Sequence, residues 1–399
     1  MKLAHSQQTD EPAALPAALR GVKVLQVGKF YPPHMGGIET HLQVLSEQLR
    51  AHLDLHVLVA SNSRRTRQET VGAVPVRRLA TPATLFSTPI CPTMTAQIRS
   101  SDCDLVHLHL PNPAAVLAYL ASGHRGPLIV TYHSDTVRQR VLGALFEPCL
   151  HAALRRSSAI IVTSPDYLRT SAVLRVHAER CHVIPYGIDL QQFEQCDPAA
   201  VAGVREQYGD RLIVSVGRLV YYKGFEYLIR AMQHVRGKLL IVGDGPLRHP
   251  LQALAAELGV TGKVTFAGEI HNAQIVPYYH AAQIFALASV ARSEAFGIVQ
   301  IEAMAAGLPV VNTSLDSGVP FVSLHGETGL TVPPSDPDAL AAALNRLLDD
   351  APLRHTFGQA GRRRARQEFT ASIMASRTLQ LYDTVLRSHK AKLNKAVKK

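Results

Sequence analysis

The chain has 399 residues, 47% of them apolar, enough for two or three domains with real cores and too apolar to read as a disordered protein. Its five cysteines are odd in number and contain no C-x-x-C pair, which argues for a reducing compartment and against a cysteine-held metal. A formal charge of +11 without tryptophan or any recognisable reader motif argues against nucleic acid as a partner, and leaves an anionic lipid surface or plain solubility to explain the excess.

The first twenty residues (MKLAHSQQTDEPAALPAALR) have neither the basic nor the apolar segment of a secretory signal. The runs KVLQVG (23–28), LHVLVA (55–60), DLVHLHL (104–110), PLIVTYH (127–133), AIIVTS (159–164) and HVIPYG (182–187) then read as buried strands. Helix-like segments separate most of them, the pattern of βαβ units in a parallel sheet. One such segment, 137–156, carries Arg138, Arg140, Arg155 and Arg156, with Val141, Leu142, Leu145, Leu150 and Leu154 as its apolar set. FEQCDPAA breaks the periodicity between 187 and 208, and the strand pattern restarts with RLIVSVG (211–217), KLLIVGDG (238–245), KVTFAG (263–268), IFALAS (284–289) and LPVVNT (308–313).

The longest apolar run, 281–291, is interrupted by Gln283 and too short to span a bilayer, so a cytoplasmic protein is expected. Basic residues cluster in RRRAR (362–366) and again after a last helix expected at 371–388, where no acid follows Asp383. The predicted architecture is α/β: two Rossmann-like doubly wound domains, 21–190 and 200–369, with the 371–388 helix returning to the first.

In such sheets ligands bind beyond the carboxyl ends of the strands, so the turns there carry the chemistry. GKFYPPHMGGIETH (28–41) has two prolines that exclude helix, then Gly36-Gly37 leading into one. Paired glycines let backbone approach a bound group, and the helix start offers N–H donors to a phosphate; a simple tight turn is the alternative. The G-x-G-x-x-G fingerprint is absent, which weakens a dinucleotide reading.

GRLVYYKG (217–224) sets Arg218 and Lys223 in one turn with no acid between them. A guanidinium fork and an ammonium point charge together suit a diphosphate. GDGP (243–246) is a third such turn, able through Gly243 and Gly245 to lie under a nucleotide base. In SEAFGIVQIE (293–302), Glu294 lies in a loop and Glu302 on a helix expected at 298–306, so two carboxylates flank a helix start that attracts an anion. An ordinary capped helix with one solvated glutamate is the plainer alternative. Taken together, the cations suit a diphosphate, one carboxylate a ribose and the other a sugar, which describes a nucleoside-diphosphate sugar.

Over residues 22–388 the chain resembles the retaining GT-B glycosyltransferases of family 4. The likeness rests on the Gly-Gly loop, TYHSD (131–135), PYGID (185–189), GRLVYYKG, GDGP and the E-x(7)-E stretch, in that order. The resemblance implies that Arg218 and Lys223 bind the donor diphosphate and that Gly37, beside Gly36, approaches the phosphates. It assigns the ribose to Glu302, the donor sugar's hydroxyls to Glu294, and the lining of the donor site to backbone at Phe296, Gly297, Ile298 and Val299. His133 matches a histidine at the reaction centre, near the sugar's C6 hydroxyl; a satisfied core histidine is the plainer alternative, which its place in TYHSD at a strand end disfavours. The family often has Pro-Asn-Gly where this chain has Pro-Tyr-Gly (185–187), which leaves the contacts of Tyr186 open.

TYHSDTVRQR and SLDSGVPFVSLHGETGLTVPP are similar to bacterial mannosyl- or D-rhamnosyltransferases that build O-antigen and related surface polysaccharides from GDP-sugars. A GDP-mannose or GDP-D-rhamnose donor and a lipid-linked saccharide acceptor, met at the inner membrane face by a peripheral protein, are what that likeness implies. No D-x-D motif sits in a suitable loop, so the two cations are expected to replace a metal, with no cofactor beyond the donor. Arg218→Ala or Lys223→Ala is expected to abolish transfer and leave folding intact. The alternatives are a UDP-sugar donor in the same family, and a sugar-nucleotide epimerase, hydrolase or binder of the same fold that transfers nothing. A phosphorylase would need a pyridoxal-phosphate lysine, for which the second half offers no good context.

Overall fold

The computed structural model describes residues 19–397 apart from 35, 87, 136–139 and 271. The first sheet has eight strands in the order Cys181–Val183, Ala159–Val162, Leu128–Tyr132, Leu105–Leu110, Lys23–Val27, Asp54–Ala60, Val74–Leu79 and Arg67–Val71. The second has six, in the order Val264–Gly268, Lys238–Val242, Leu212–Val216, Ile284–Ala286, Val310–Thr313 and Gly329–Val332, all parallel. The central strands are unalternating apolar runs because both faces of a parallel sheet are covered: Leu212, Ile213 and Val214 are wholly buried. Each such side chain contributes about 1.5–3 kcal/mol of burial. The α/β class with two mainly parallel sheets is as expected.

Among the described residues the pattern reading missed five short strands, Arg67–Val71, Val74–Leu79, Ala83–Leu85, Thr88–Ile90 and Gly329–Val332. Arg67–Val71 is a polar, almost wholly exposed edge strand, antiparallel to Val74–Leu79. Gly329–Val332 is only four residues long and starts on a glycine. Nothing in a periodicity of two separates such segments from loop.

The chain divides into two compact units. The smaller takes residues 1–130, 156–159 and 371–399, and the larger takes 131–155 and 160–370. The sheets divide at another place: the strands of the first run from Lys23 to Val183, and those of the second from Leu212 to Val332. Several helices open on a polar residue followed by proline. Asn112, Ser164, Asp197 and Asp336 each accept an amide hydrogen bond from the first turn, with Pro113, Pro165, Pro198 and Pro337 next in line. Each cap contributes about 1 kcal/mol and sets where the helix begins.

Two expectations about the basic residues need correction. Three of the four arginines of RRRAR are engaged rather than loose surface charge; Arg363 is exposed. Arg362 donates to the carbonyls of Ala305 and Ala306. Arg364 donates to Phe321 and Val322 oxygens between the rings of Phe321 and Phe369. Arg366 pairs with Glu194 at 2.8 Å. The last helix is also longer than 371–388. It spans Ala371–Val397, because Ala, Leu and Lys are good helix formers and Arg387 pairs with Asp383 one turn back at 2.8 Å.

The last helix belongs to the smaller unit, where Tyr382 is buried and accepts from Gln26 Nε2 at 3.0 Å. The 137–156 segment is a helix from Arg140 to Arg156; Val137 and Arg138 lie outside the described residues, and so do Lys398 and Lys399. Among the described residues no helix is long and apolar enough to cross a membrane.

Candidate active site

Counted from its first strand, the second sheet has the order 3-2-1-4-5-6, so the strand order reverses between Leu212–Val216 and Ile284–Ala286. A crevice opens where the loops beyond two such strands diverge to opposite faces. The loop after Leu212–Val216 is Gly217 to Gly224, and the loop after Ile284–Ala286 leads to Glu294. Topology therefore brings together the two motifs that the sequence separates by some seventy residues.

The meeting is direct. Lys223 Nζ lies 2.5 Å from Glu294 Oε2, and each side chain is only 10% exposed. Burial pulls the Lys223 ammonium toward neutrality, but the charge and hydrogen bond of Glu294 outweigh it and raise the pKa above the usual lysine value. Glu294 Oε2 also accepts from Ser289 Oγ at 3.2 Å. Arg218, by contrast, is exposed and among the described residues makes no side-chain hydrogen bond or ion pair. One cation is thus held and desolvated, and the other stands ready in solvent.

Glu302 lies on the Val299–Ala305 helix, which is one residue shorter at each end than 298–306. Gly297 at φ 75 is left-handed and Ile298 caps, so the helix cannot begin sooner. Tyr279, fully buried on another helix, donates to Glu302 Oε2 at 2.7 Å. Burial raises the Glu302 pKa above the usual carboxylate value, while the Tyr279 hydrogen bond and the Lys223 charge hold it back. Among the described residues, the amides of Phe296, Gly297 and Ile298 donate to no backbone carbonyl. Such a run of free N–H groups ahead of a helix is an anion-binding feature. Phe296 is 2% exposed and its ring meets Tyr186, Phe369 and Phe321, so the side chain belongs to the core.

Gly243 and Gly245 support the site from beneath. A Cβ on Gly243 would lie 2.1 Å from the Gly217 oxygen, and one on Gly245 would lie 2.6 Å from that of Leu219. Leu219 N–H donates to the Asp244 oxygen at 2.9 Å, so GDGP is the bed on which the Arg218 turn rests.

His133, just beyond Leu128–Tyr132, is 1% exposed, and its Nδ1 is hydrogen-bonded to the Tyr186 hydroxyl. Tyr186 stands edge-on to Phe296 at 5.0 Å. The residue that departs from the family's Pro-Asn-Gly is therefore the partner of the histidine. Arg218, Lys223, Gly243, Gly245, Glu294, Phe296, Gly297, Ile298, Val299, Glu302 and His133 all belong to the larger unit, whereas Gly36 and Gly37 begin the Gly37–Arg50 helix of the smaller one. There Glu39 fills the first turn, and a Cβ on Gly36 would lie 2.2 Å from its Oε2. Sequence reasoning missed Tyr279 and Ser289 as partners of the site, since nothing in their local spacing marks them, and it left the contacts of Tyr186 open.

Comparison with known proteins places this geometry. The family described as Glycosyltransferase Family 4 matches residues 35–192, and the family described as Glycosyl transferases group 1 matches residues 201–364. D-rhamnosyltransferase WbpZ of Pseudomonas aeruginosa is 34% identical over 354 residues, covering 87% of this chain and 93% of its own. The chain belongs to glycosyltransferase family 4. O-antigen chain mannosyltransferase C of Escherichia coli is 30% identical over 374 residues, covering 92% of this chain and all 100% of its own. Among solved structures, sucrose-phosphate synthase from Thermosynechococcus elongatus superposes with a TM-score of 0.79 at 26% identity, covering 92% of this chain and 100% of that one. The two-domain GT-B fold is thus that of the family-4 glycosyltransferases, and the chain is a glycosyltransferase.

Proposed function

We propose that this family-4 enzyme moves mannose or D-rhamnose from a GDP-sugar to a lipid-linked glycan acceptor in the synthesis of a surface polysaccharide or O-antigen, with retention of configuration and without a metal or other cofactor. The observation that carries the reading is the contact of Lys223 with Glu294 at 2.5 Å. In a nucleoside-diphosphate sugar the anomeric bond joins the outer phosphate to the sugar ring. A cation for that phosphate and a carboxylate for the ring hydroxyls must then be immediate neighbours. Glu302 lies near enough for Lys223 to lower its pKa, and accepts the ribose hydroxyls. The D-rhamnosyl and mannosyl relatives support the choice of sugar.

In the reaction the acceptor oxygen bonds to the anomeric carbon and the bond from that carbon to the phosphate oxygen breaks. The electron pair leaves with the nucleoside diphosphate, and the acceptor's proton passes to the departing phosphate on the same face. Lys223, Arg218 and the free amides at Phe296 to Ile298 stabilise the charge that develops there, which is electrostatic catalysis of the oxyanion-hole type. Glu294 and His133 hold the sugar.

At the membrane, Lys390, Lys392 and Lys395 are exposed on the last helix with Leu393 beside them. Each basic residue near an anionic surface contributes about 1 kcal/mol, which supports reversible peripheral binding at the inner face of the cell membrane.

A thermal-shift screen of GDP-, UDP- and ADP-sugars tests the donor, with the largest stabilisation expected from GDP-mannose or GDP-D-rhamnose. Preference for a UDP- or ADP-sugar would overturn the donor. Transfer that needs added Mn²⁺ or Mg²⁺ after EDTA treatment would overturn the metal-free reading, and an inverted anomeric signal by NMR would overturn retention. Release of the nucleoside diphosphate at the same rate with and without every acceptor tried would favour a hydrolase.

A further inference from the structure

Two segments of the larger unit supply the reacting groups of the proposed site, and neither is held by its own sheet alone. One is the stretch after Leu128–Tyr132 that carries His133; the other is the loop after Ile284–Ala286 that carries Glu294. Asp135, two residues beyond His133, is heavily bonded. Its Oδ1 accepts from the Tyr132 hydroxyl and from Ser171 Oγ, both at 2.9 Å, and its own N–H donates to the Tyr167 hydroxyl at 2.5 Å. Arg292, two residues before Glu294, reaches the same carboxylate: its Nη2 donates to Asp135 Oδ2 at 3.1 Å. Its Nη1 donates to the Thr170 oxygen at 3.1 Å, and the guanidinium lies over the Tyr167 ring at 5.4 Å. The amide of Glu294 closes back on the Ala291 oxygen at 2.9 Å, so Arg292 and Glu294 share one tight turn.

We propose that Asp135 and Arg292 form a positioning clasp that sets the Glu294 loop in register with His133. The pair is partly buried, at 23% and 32% exposure, with geometry on both sides dictated by neighbours. It is poorly built for stability alone. Arg292 Nε is buried with no hydrogen-bond partner among the described residues, and a stranded donor of that kind costs about 1–3 kcal/mol. The fold accepts that cost to keep the guanidinium flat on Tyr167 and its fork aimed at Asp135. The return is orientation: displacements of about 1 Å between reacting groups cost on the order of a hundredfold in rate. Neither residue touches the donor in this assignment, so they act through His133 and Glu294.

The inference rests on the proposed function, and its test separates the two. Hydrogen–deuterium exchange on the full chain without nucleotide is compared among wild type, Asp135→Asn, Arg292→Gln and Arg292→Lys, together with steady-state transfer from the donor that stabilises wild type best. Faster exchange confined to 292–299 is expected in Asp135→Asn and Arg292→Gln. With it, kcat should fall at least about tenfold while the donor KM stays within about twofold, and Arg292→Lys should recover part of the loss. The double variant Asp135→Asn/Arg292→Gln should be no slower than either single one, because the residues act as a unit.

Unchanged exchange at 292–299 would overturn the clasp, as would faster exchange throughout the larger unit, which would mark a merely structural pair. A rise in donor KM at constant kcat would overturn it too. If wild type transfers from no donor, the proposed function fails, and the exchange data alone still decide the clasp.

Discussion

Lys223 and Glu294 meet as a near-dry ion pair, 2.5 Å apart, at the switch point of the second sheet. Removing one partner of a buried pair strands the other, which costs about 3–5 kcal/mol. Lys223→Ala is therefore expected to lose both transfer and stability, unlike the expectation from sequence that folding would stay intact. Lys223→Met/Glu294→Gln should recover most of the stability and none of the activity. Chemical denaturation beside a transfer assay checks this, and a fully stable Lys223→Ala would show that the pair carries little energy.

Arg218→Ala is the contrasting case. The side chain is exposed and without a partner among the described residues, so the denaturation midpoint should not move. Transfer should fall by about a hundredfold or more if the guanidinium faces the departing phosphate. Turnover within about twofold of wild type would remove Arg218 from the site.

Tyr279→Phe deletes the hydroxyl that donates to Glu302 at 2.7 Å. A hydrogen bond to a charged group contributes about 1.5–3 kcal/mol. The buried carboxylate, already raised in pKa, rises further and binds ribose hydroxyls less well in its protonated form. Affinity for the nucleoside diphosphate, read by calorimetry, should drop about tenfold or more, with the larger deficit at lower pH. A deficit independent of pH would mean that the tyrosine acts by packing alone.

Tyr186→Phe removes the hydroxyl bonded to His133 Nδ1 but keeps the ring against Phe296. The partner of one ring nitrogen decides the tautomer and direction of the other. We expect kcat to fall by about tenfold or more with donor KM nearly constant. Tyr186→Asn, the residue frequent in the family, should recover activity better than phenylalanine if a polar group at that point is what His133 needs.

Acid should unfold the smaller unit through its histidines. Burial pushes His41 down to about 3, and burial with the charge of His41 pushes His107 down to about 3. The unfolded chain, with histidine near 6.5, binds more protons than the native one between those values, so stability is present above pH 6.5 and lost as pH falls below it. Each histidine removes about 2 kcal/mol by pH 5. Melts from pH 7.5 to 5 should show a steady fall in Tm, and His107→Gln, which keeps a polar group beside Tyr382, should flatten the slope. An unchanged slope in that variant would assign acid sensitivity elsewhere.

Much of this molecule is determined locally and so is legible in the chain. The apolar runs mark buried parallel strands because burial on both faces admits nothing else, and the break after PYGID marks where one sheet ends and the next begins. Arg218, Lys223, Glu294 and Glu302 stand out because charge gathered in the turns beyond strands and at a helix start has few structural uses. What the tertiary structure decided is which of these groups are neighbours and in what state. The 3-2-1-4-5-6 order, set by the crossover of Ile284–Ala286 to the far side of Leu212–Val216, makes Lys223 and Glu294 a pair while leaving Arg218 in solvent. Tyr279, Tyr186, Asp135 and Arg292 gain their roles from contacts across 23, 53 and 157 residues of chain, a range over which no spacing rule operates. Arg362 and Arg364 of RRRAR read as loose charge for the same reason: the carbonyls they satisfy lie more than forty residues away.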